Sequence, residues 1–234
     1  MSAGIAVVIP VLGDARELEA LLGQLEPQRP EEIIVACGRA DPAIAAVCRR
    51  HACVYLETVA NRGAQLDAGA RRATAAVLWF VHADSVVARD ALDVIAAAVR
   101  GGAESGCFRF AFQGSAQWYK RLLAQLVALR IRCGGMVYGD QGIFVRRDVY
   151  VEAGGFPAQP LFEEVRLVRR LRARGTFRVL PRAIGVSTRR WEHDGWLRRL
   201  VHNRWLAVRF ALGGRPETLA ASYRPIPSNG EHER

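Results

Sequence analysis

The segment His82-Ala83-Asp84-Ser85 closes an apolar run at residues 77–81. A run that short and that apolar reads as a strand buried on both faces. Ligands of open parallel sheets bind beyond the carboxyl ends of the strands. Among the strand ends of this chain, only this one offers two metal-competent side chains spaced to leave on the same side. Asp84 supplies a carboxylate for a hard divalent cation. His82 supplies a neutral nitrogen that suits Mn²⁺ better than Mg²⁺. The plainer alternatives are that Asp84 caps the next turn and that His82 only hydrogen-bonds behind a ligand. The strand-end position favours Asp84 as a ligand.

Other residues carry weaker signals by themselves. Glu163 and Glu164 stand at the start of a helical pattern, where the helix dipole alone favours acids. Asp140 sits in the glycine-flanked run Gly139-Asp140-Gln141-Gly142 and is either a turn residue or an orienting carboxylate. Arg189 and Arg190 precede Trp191; arginine forks suit phosphates, although at least one of the pair reads equally well as a surface charge. Arg62 and Gln65 are one helical turn apart, on a solvated face or facing a ligand. Trp191 and Trp205 read first as core residues.

These side chains need elements to place them. Apolar strand-like runs at 5–11, 33–37, 53–56 and 77–81 alternate with helical patterns at 15–25, 42–50, 63–74 and 90–100. Asp14 and Asp41 are candidate caps, the second followed by proline at the first helical position. The alternation predicts an α/β fold, a mostly parallel sheet with helices on both faces. Beyond residue 105 the pattern loosens. A half-exposed strand is expected at 108–112, a short one at 141–145, and helices at 118–132, 161–174 and 196–212. The first and last of these helices are basic and amphipathic. A single domain over residues 1–224 is expected, with a donor half at 1–115, an acceptor half at 116–224 and a frayed tail at 225–234.

Taken in order, these segments resemble family 2 glycosyltransferases of the GT-A type, whose metal signature is an apolar strand ending in Asp-x-Asp. His82-Ala83-Asp84 stands at that place. Val7-Val8-Ile9-Pro10-Val11 resembles the family's first strand, and 62–69 its helix beside the donor. Tyr138-Gly139-Asp140-Gln141-Gly142 is similar to an acceptor-side Gly-Asp-Gln segment of one bacterial branch. Phe162-Glu163-Glu164-Val165 resembles the Glu-Asp catalytic motif, and Arg189-Arg190-Trp191 the downstream Arg-Trp motif. The resemblance spans roughly residues 5 to 200 and implies a Rossmann-like nucleotide-binding sheet with a helical, basic C-terminal part. Two positions depart from it. His82 replaces the first acid of Asp-x-Asp, and Cys37 stands where the family places a base-contacting Asp, which leaves the nucleotide open.

The implied activity is transfer of a sugar from a nucleoside-diphosphate sugar to an acceptor hydroxyl, inverting and dependent on Mn²⁺ or Mg²⁺. Asp84, with His82, would hold the metal. Glu164 would be the general base with Glu163 beside it, and Asp140 would orient the acceptor. Pro10, Cys37, Arg62, Gln65, Asp84, Arg189, Arg190 and Trp191 would face the donor.

Charge divides the chain. Residues 1–115 carry 11 basic and 13 acidic side chains; residues 116–234 carry 22 and 10. A basic half points to an anionic partner. The expectation is a lipid-linked or phosphorylated acceptor and an anionic membrane face, with no nucleic acid, since no recognition motif is present. No apolar run is long enough to span a bilayer. A charged start with a long apolar stretch is also missing, so a cytoplasmic protein, peripheral on the inner membrane face, is expected. The five cysteines form no CxxC pair and are expected reduced and mostly buried. Two other functions compete. A sugar-phosphate nucleotidylyltransferase needs a glycine-rich basic loop after the first strand, where Val11-Leu12-Gly13-Asp14 stands instead. A non-catalytic basic binding protein retaining the fold draws support from Cys37 and His82.

Overall fold

The structure, a computed structural model, describes residues 4–114 and 117–222; the tail expected at 225–234 lies outside them. The first half runs β1 (Ile5–Val11), α1 (Ala15–Leu25), β2 (Glu32–Cys37), α2 (Pro42–Arg50), β3 (Val54–Glu57), α3 (Arg62–Arg72), β4 (Val77–Phe80) and α4 (Ala91–Arg100). The second half runs β5 (Ser105–Phe112), α5 (Trp118–Arg132), β6 (Phe144–Arg146), α6 (Arg147–Glu152), α7 (Glu163–Ala173), β7 (Phe177–Val186), α8 (Arg189–Asp194), α9 (Trp196–Ala211) and α10 (Pro216–Ala221). The seven strands form one sheet in the order β3-β2-β1-β4-β6-β5-β7. Of the paired strands only β6 runs against its neighbours.

The period-two alternation of β1 divides the core. Val7, Ile9 and Val11 face α1, α2 and α4, where Leu18, Leu21 and Leu22 are fully buried. Ala6 and Val8 face the other layer, with Leu66 of α3 and Leu167, Val168 and Leu171 of α7. Each such leucine contributes about 1.5–3 kcal/mol on burial. A smaller cluster of Leu161, Phe162, Val165, Leu206 and Leu219 ties α9 and α10 to the start of α7.

The expected helices and strands of the first half occur with boundaries within two residues of expectation. Asp41 caps α2 as expected, accepting from the Ala43 and Ile44 amides at 3.0 and 3.2 Å. Asp14 does not cap α1: its side chain makes no cap hydrogen bond, and its carboxylate turns toward Arg189 instead, 3.6 Å away. The short strand expected at 141–145 splits into a 3-10 turn, Gly139–Gln141, and β6. Four elements lie outside the sequence expectation: β7, α6, α8 and α10. β7 carries Pro181 and alternates poorly, and as an edge strand it tolerates the missing donor. The five cysteines are free, with Cys133 exposed rather than buried. No described helix is long and apolar enough to cross a membrane.

Candidate active site

The carboxyl ends of β1 and β4 open into a cleft of about 850 Å³, within the range of small-molecule sites. Leu12, Gly13 and Asp14 form its floor beside His82, Asp84 and Ser85, while α7, α8 and α9 close the far side. A turn holds the β4 end: the Ser85 amide donates to His82 O at 3.1 Å. Gln113 Nε2 donates to Asp84 O at 2.8 Å and to Gly185 O at 3.1 Å, which ties this turn to β7.

Four segments far apart in sequence meet here. Arg62, first residue of α3, reaches Glu163, first residue of α7, through a paired contact: Nε to Oε1 at 2.5 Å and Nη2 to Oε2 at 3.2 Å. Glu163 is wholly buried, so a solvated helix start does not describe it. Glu164 is also buried, lines the cleft, and leaves Oε2 without a hydrogen-bond partner. The residue before them, Phe162, adopts a left-handed backbone at φ 59° and ψ 26°. For a bulky residue this is strained, and such strain collects at functional sites. Stacking of Phe162 on Phe210, centroids 4.7 Å apart, helps hold it there.

The 3-10 turn brings the third segment. A Cβ at Gly139 would lie 3.0 Å from His82 Nε2, so any larger residue here would press on the imidazole. Gln141 is fully buried and anchors the turn, accepting from the Tyr138 amide and donating to Phe108 O. Between them Asp140 lines the cleft. Arg130 stacks over the Tyr138 ring at 4.7 Å beside it.

Burial sets the ionisation of this cluster. It pushes the Asp140 carboxyl up to about 6; Arg130 and Arg62 oppose the rise and Asp84 adds to it. Burial, reinforced by the charge of Glu163, raises Glu164 well above the ordinary carboxylate range. It pushes His82 down to about 4, with Arg62 adding to the effect. At neutral pH His82 is therefore a neutral imidazole, and its Nε2 is buried without a partner. An oxygen from Asp84 and this nitrogen are donors a borderline divalent ion accepts. Among the described residues no group of three or more His, Cys, Asp and Glu could cage an ion. An ion held here would thus complete its shell from ligand oxygens, the usual arrangement at phosphates.

The other expected site residues divide. Pro10 and Arg62 border the floor of the cleft. Arg190 and Trp191 line it, Trp191 within an aromatic group that includes Phe112 and Trp196, at 5.2 and 5.3 Å. Arg189 also lines it but is drawn to α1, 2.9 Å from Glu17 and 3.6 Å from Asp14. Two expectations fail on geometry. Gln65 is buried and spends its amide nitrogen on Val11 O and Ala36 O, at 2.9 and 2.8 Å, locking the ends of β1 and β2 together. Cys37 is buried in the α1/α2 layer, its thiol donating to Arg39 O, and presents nothing to a ligand. Arg130 and Tyr138 were not singled out from sequence. Their signal was adjacency: Tyr138 precedes Gly139-Asp140, and Arg130 lies in the last turn of the helix before it.

The description "Glycosyl transferase family 2" matches residues 6–153, more than half of the chain. No curated protein matches it. Among solved structures, residues 1–349 of TarS from S. aureus in complex with UDP-GlcNAc align with a TM-score of 0.62 at 14% identity, covering 80% of this chain and 59% of that one. The mannosyltransferase PcManGT from Pyrobaculum calidifontis, in complex with GDP-Man and Mn²⁺, aligns with a TM-score of 0.62 at 16% identity, covering 96% and 65%. The glucosyl-3-phosphoglycerate synthase of Mycobacterium tuberculosis, with Mn²⁺, UDP and glucosyl-3-phosphoglycerate, aligns at 0.55 and 15%, covering 79% and 71%. The chain spans less than two thirds of the length of the TarS chains it matches. At these identities the likeness establishes the fold.

Proposed function

The chain belongs to glycosyl transferase family 2, and on that footing we propose that it moves a sugar from a nucleoside-diphosphate sugar to an acceptor hydroxyl, inverting the anomeric carbon. The observation that carries this reading is Glu164: a buried, cleft-facing carboxyl with one partnerless oxygen, raised above the ordinary carboxylate range, in the same cleft as Asp84 and Asp140. An acceptor hydroxyl is a poor nucleophile until its proton is taken. Burial raises the Glu164 carboxyl, which makes it a stronger base than a solvated carboxylate. Glu163 is the weaker candidate, because Arg62 occupies its carboxylate.

In the proposed reaction Glu164 takes the proton of the acceptor hydroxyl as the acceptor oxygen bonds to the anomeric carbon. The bond to the diphosphate breaks on the opposite side, which inverts configuration. Asp140 orients the acceptor. Arg190 and Arg62 border the cleft where the diphosphate charge would lie, a task guanidinium geometry suits. Asp84, with His82 behind it, would hold a divalent ion, Mn²⁺ better than Mg²⁺ given the nitrogen; bound there, it would neutralise leaving-group charge as a Lewis acid. The Mn²⁺ complexes of the P. calidifontis and M. tuberculosis proteins support the metal. The UDP and GDP in the related structures leave the nucleotide open, as does the inward-turned Cys37.

Thermal-shift and calorimetric screening of UDP- and GDP-sugars with Mn²⁺ or Mg²⁺ tests the reading. One nucleotide-sugar should raise the melting temperature only with metal, since a ligand of the native state stabilises it. NMR of the transfer product should show the inverted anomer. Indifference to every nucleotide-sugar, or a retained anomer, contradicts the proposal.

A further inference from the structure

Helices α5 and α9 border the cleft and turn apolar side chains to solvent. On α5, Trp118, Leu122, Leu126 and Leu129 are exposed, at the spacing of one helical face. On α9 the same is true of Leu197, Val201, Trp205 and Val208, followed by Leu212. These are large fractions: 75% for Trp118, 75% for Leu197 and 60% for Val201. α9 packs on the core through its other side, chiefly Leu206, with Ala207 and Phe210 beside it. The two helices meet at their first turns, where the Tyr119 and Trp196 rings lie 4.9 Å apart, and both line the cleft; scattered exposed apolar residues need no explanation, but two stripes of them beside one opening mark an interaction surface.

Charge selects the occupant. Within Trp118–Arg132 and Trp196–Ala211 there are eight cationic side chains and no acidic one. Arg121, Arg132, Arg198, Arg204 and Arg209 are exposed. A second copy of this face would meet like charge, which disfavours self-association. Helices with an apolar stripe, tryptophan and arginine-rich flanks are built to lie in the interface of an anionic bilayer. At 15 and 16 residues they are too short to span one.

The patch is continuous with the cleft. Leu126 and Leu200 are exposed and also line the cleft. Leu123, Val127, Leu206 and Ala207 carry the apolar wall inward, toward the side where Glu164 and Asp140 lie. We propose that α5 and α9 dock the protein on an anionic phospholipid surface with the lip of the cleft against it, and that the acceptor is an amphiphile drawn from that surface. The docking stands on its own; the acceptor clause rests on the glycosyltransferase reading.

The test is co-sedimentation of the full chain with phosphatidylcholine vesicles, with and without phosphatidylglycerol, at low and high salt. The emission of Trp118 and Trp205 gives a second readout. Binding should require the anionic lipid, shift tryptophan emission to the blue and fade with salt as screening shortens. The variant Arg121→Gln/Arg198→Gln/Arg209→Gln should bind roughly 100-fold more weakly, from the worth of each cation near an anionic leaflet. The variant Leu129→Ser/Leu197→Ser/Val208→Ser should lose the blue shift. All six positions are exposed and none lines the cleft, so both variants should keep the wild-type circular dichroism. No binding to anionic vesicles at low salt overturns the proposal. So does binding that both variants retain, or a wild-type dimer that the apolar variant converts to monomer. Failure of sugar transfer with every donor would leave the vesicle result intact, so the two readings fail separately. If transfer succeeds and vesicles bind, soluble acceptors should be outpaced by lipid-borne ones; the opposite order removes the acceptor clause.

Discussion

Removing the guanidinium of Arg62 should cost the fold more than any other single charge change at the cleft. Glu163 is wholly buried, and its two oxygens meet Arg62 at 2.5 and 3.2 Å. In Arg62→Met the carboxylate keeps its burial and loses this partner. Breaking a buried pair from one side costs about 3–5 kcal/mol. For a chain of this size each kcal/mol lowers the melting temperature by about 2–4 °C, so a fall of roughly 6–20 °C is expected. Arg62→Met/Glu163→Gln removes the charge along with its partner and should recover most of the loss, a coupling of at least about 2 kcal/mol in a double-mutant cycle. Urea melts of the wild type, the two single variants and the double variant measure this. A deficit under about 1 kcal/mol that the double variant does not recover would refute the reasoning and leave the contact as a surface-like pair.

Three further outcomes follow from the same geometry. His82, held neutral by burial with its titration pushed from the ordinary 6.5 to about 4, contributes stability that is full above 6.5 and lost as pH falls through 4. At 1.36 kcal/mol per tenfold that loss is at most about 3 kcal/mol, and His82→Gln should flatten this part of the pH–stability curve measured by thermal melts. Gly63→Ala should lower stability by about 1–3 kcal/mol and impair donor binding, because the added Cβ would lie 2.0 Å from Pro157 O and push the start of α3 away from the loop before α7; calorimetry with unchanged donor affinity would contradict it. Asp84→Asn should fold normally yet lose the metal dependence of nucleotide affinity, read by calorimetry with and without Mn²⁺.

The first half of this fold was legible because its strands are short apolar runs and its helices carry proline, aspartate and leucine at informative places. Asp41-Pro42 gave a helix start that the structure repeats to the residue. Such signals fade after residue 105. β7 lies at a sheet edge with Pro181 inside it, and α8 is a single arginine-rich turn whose position depends on aromatic packing, not on its own periodicity. The site was legible as a list of residues and not as an arrangement. The resemblance put Glu164 ahead of Glu163 as the base, but nothing local to the two residues separates them; the contact of Glu163 with Arg62, 101 residues away, supplies a physical reason. Gln65 shows the reverse error. The resemblance implied that it faces the donor, while its spacing from Arg62 left that open, and the structure points its amide at two strand ends. A side chain's direction on a helix is set by what the helix packs against, and no local signal carries that.

The central claim is that Glu164 removes the acceptor proton, and Glu164→Gln tests it most directly. Glutamine keeps the size and cannot take a proton. Once the donor is identified, kcat for transfer should fall by about 10²–10⁴-fold while calorimetric donor affinity with Mn²⁺ stays within a few-fold. The wild-type rate should also lose activity on acidification well above the ordinary glutamate range, because the raised carboxyl of Glu164 must be ionised to act. The variant should melt higher than wild type by a margin that widens as pH rises, since a group with a raised folded-state pKa loses stability in that direction. A Glu164→Gln protein that transfers sugar at the wild-type rate, while Asp140→Asn or Glu163→Gln does not, would contradict the assignment.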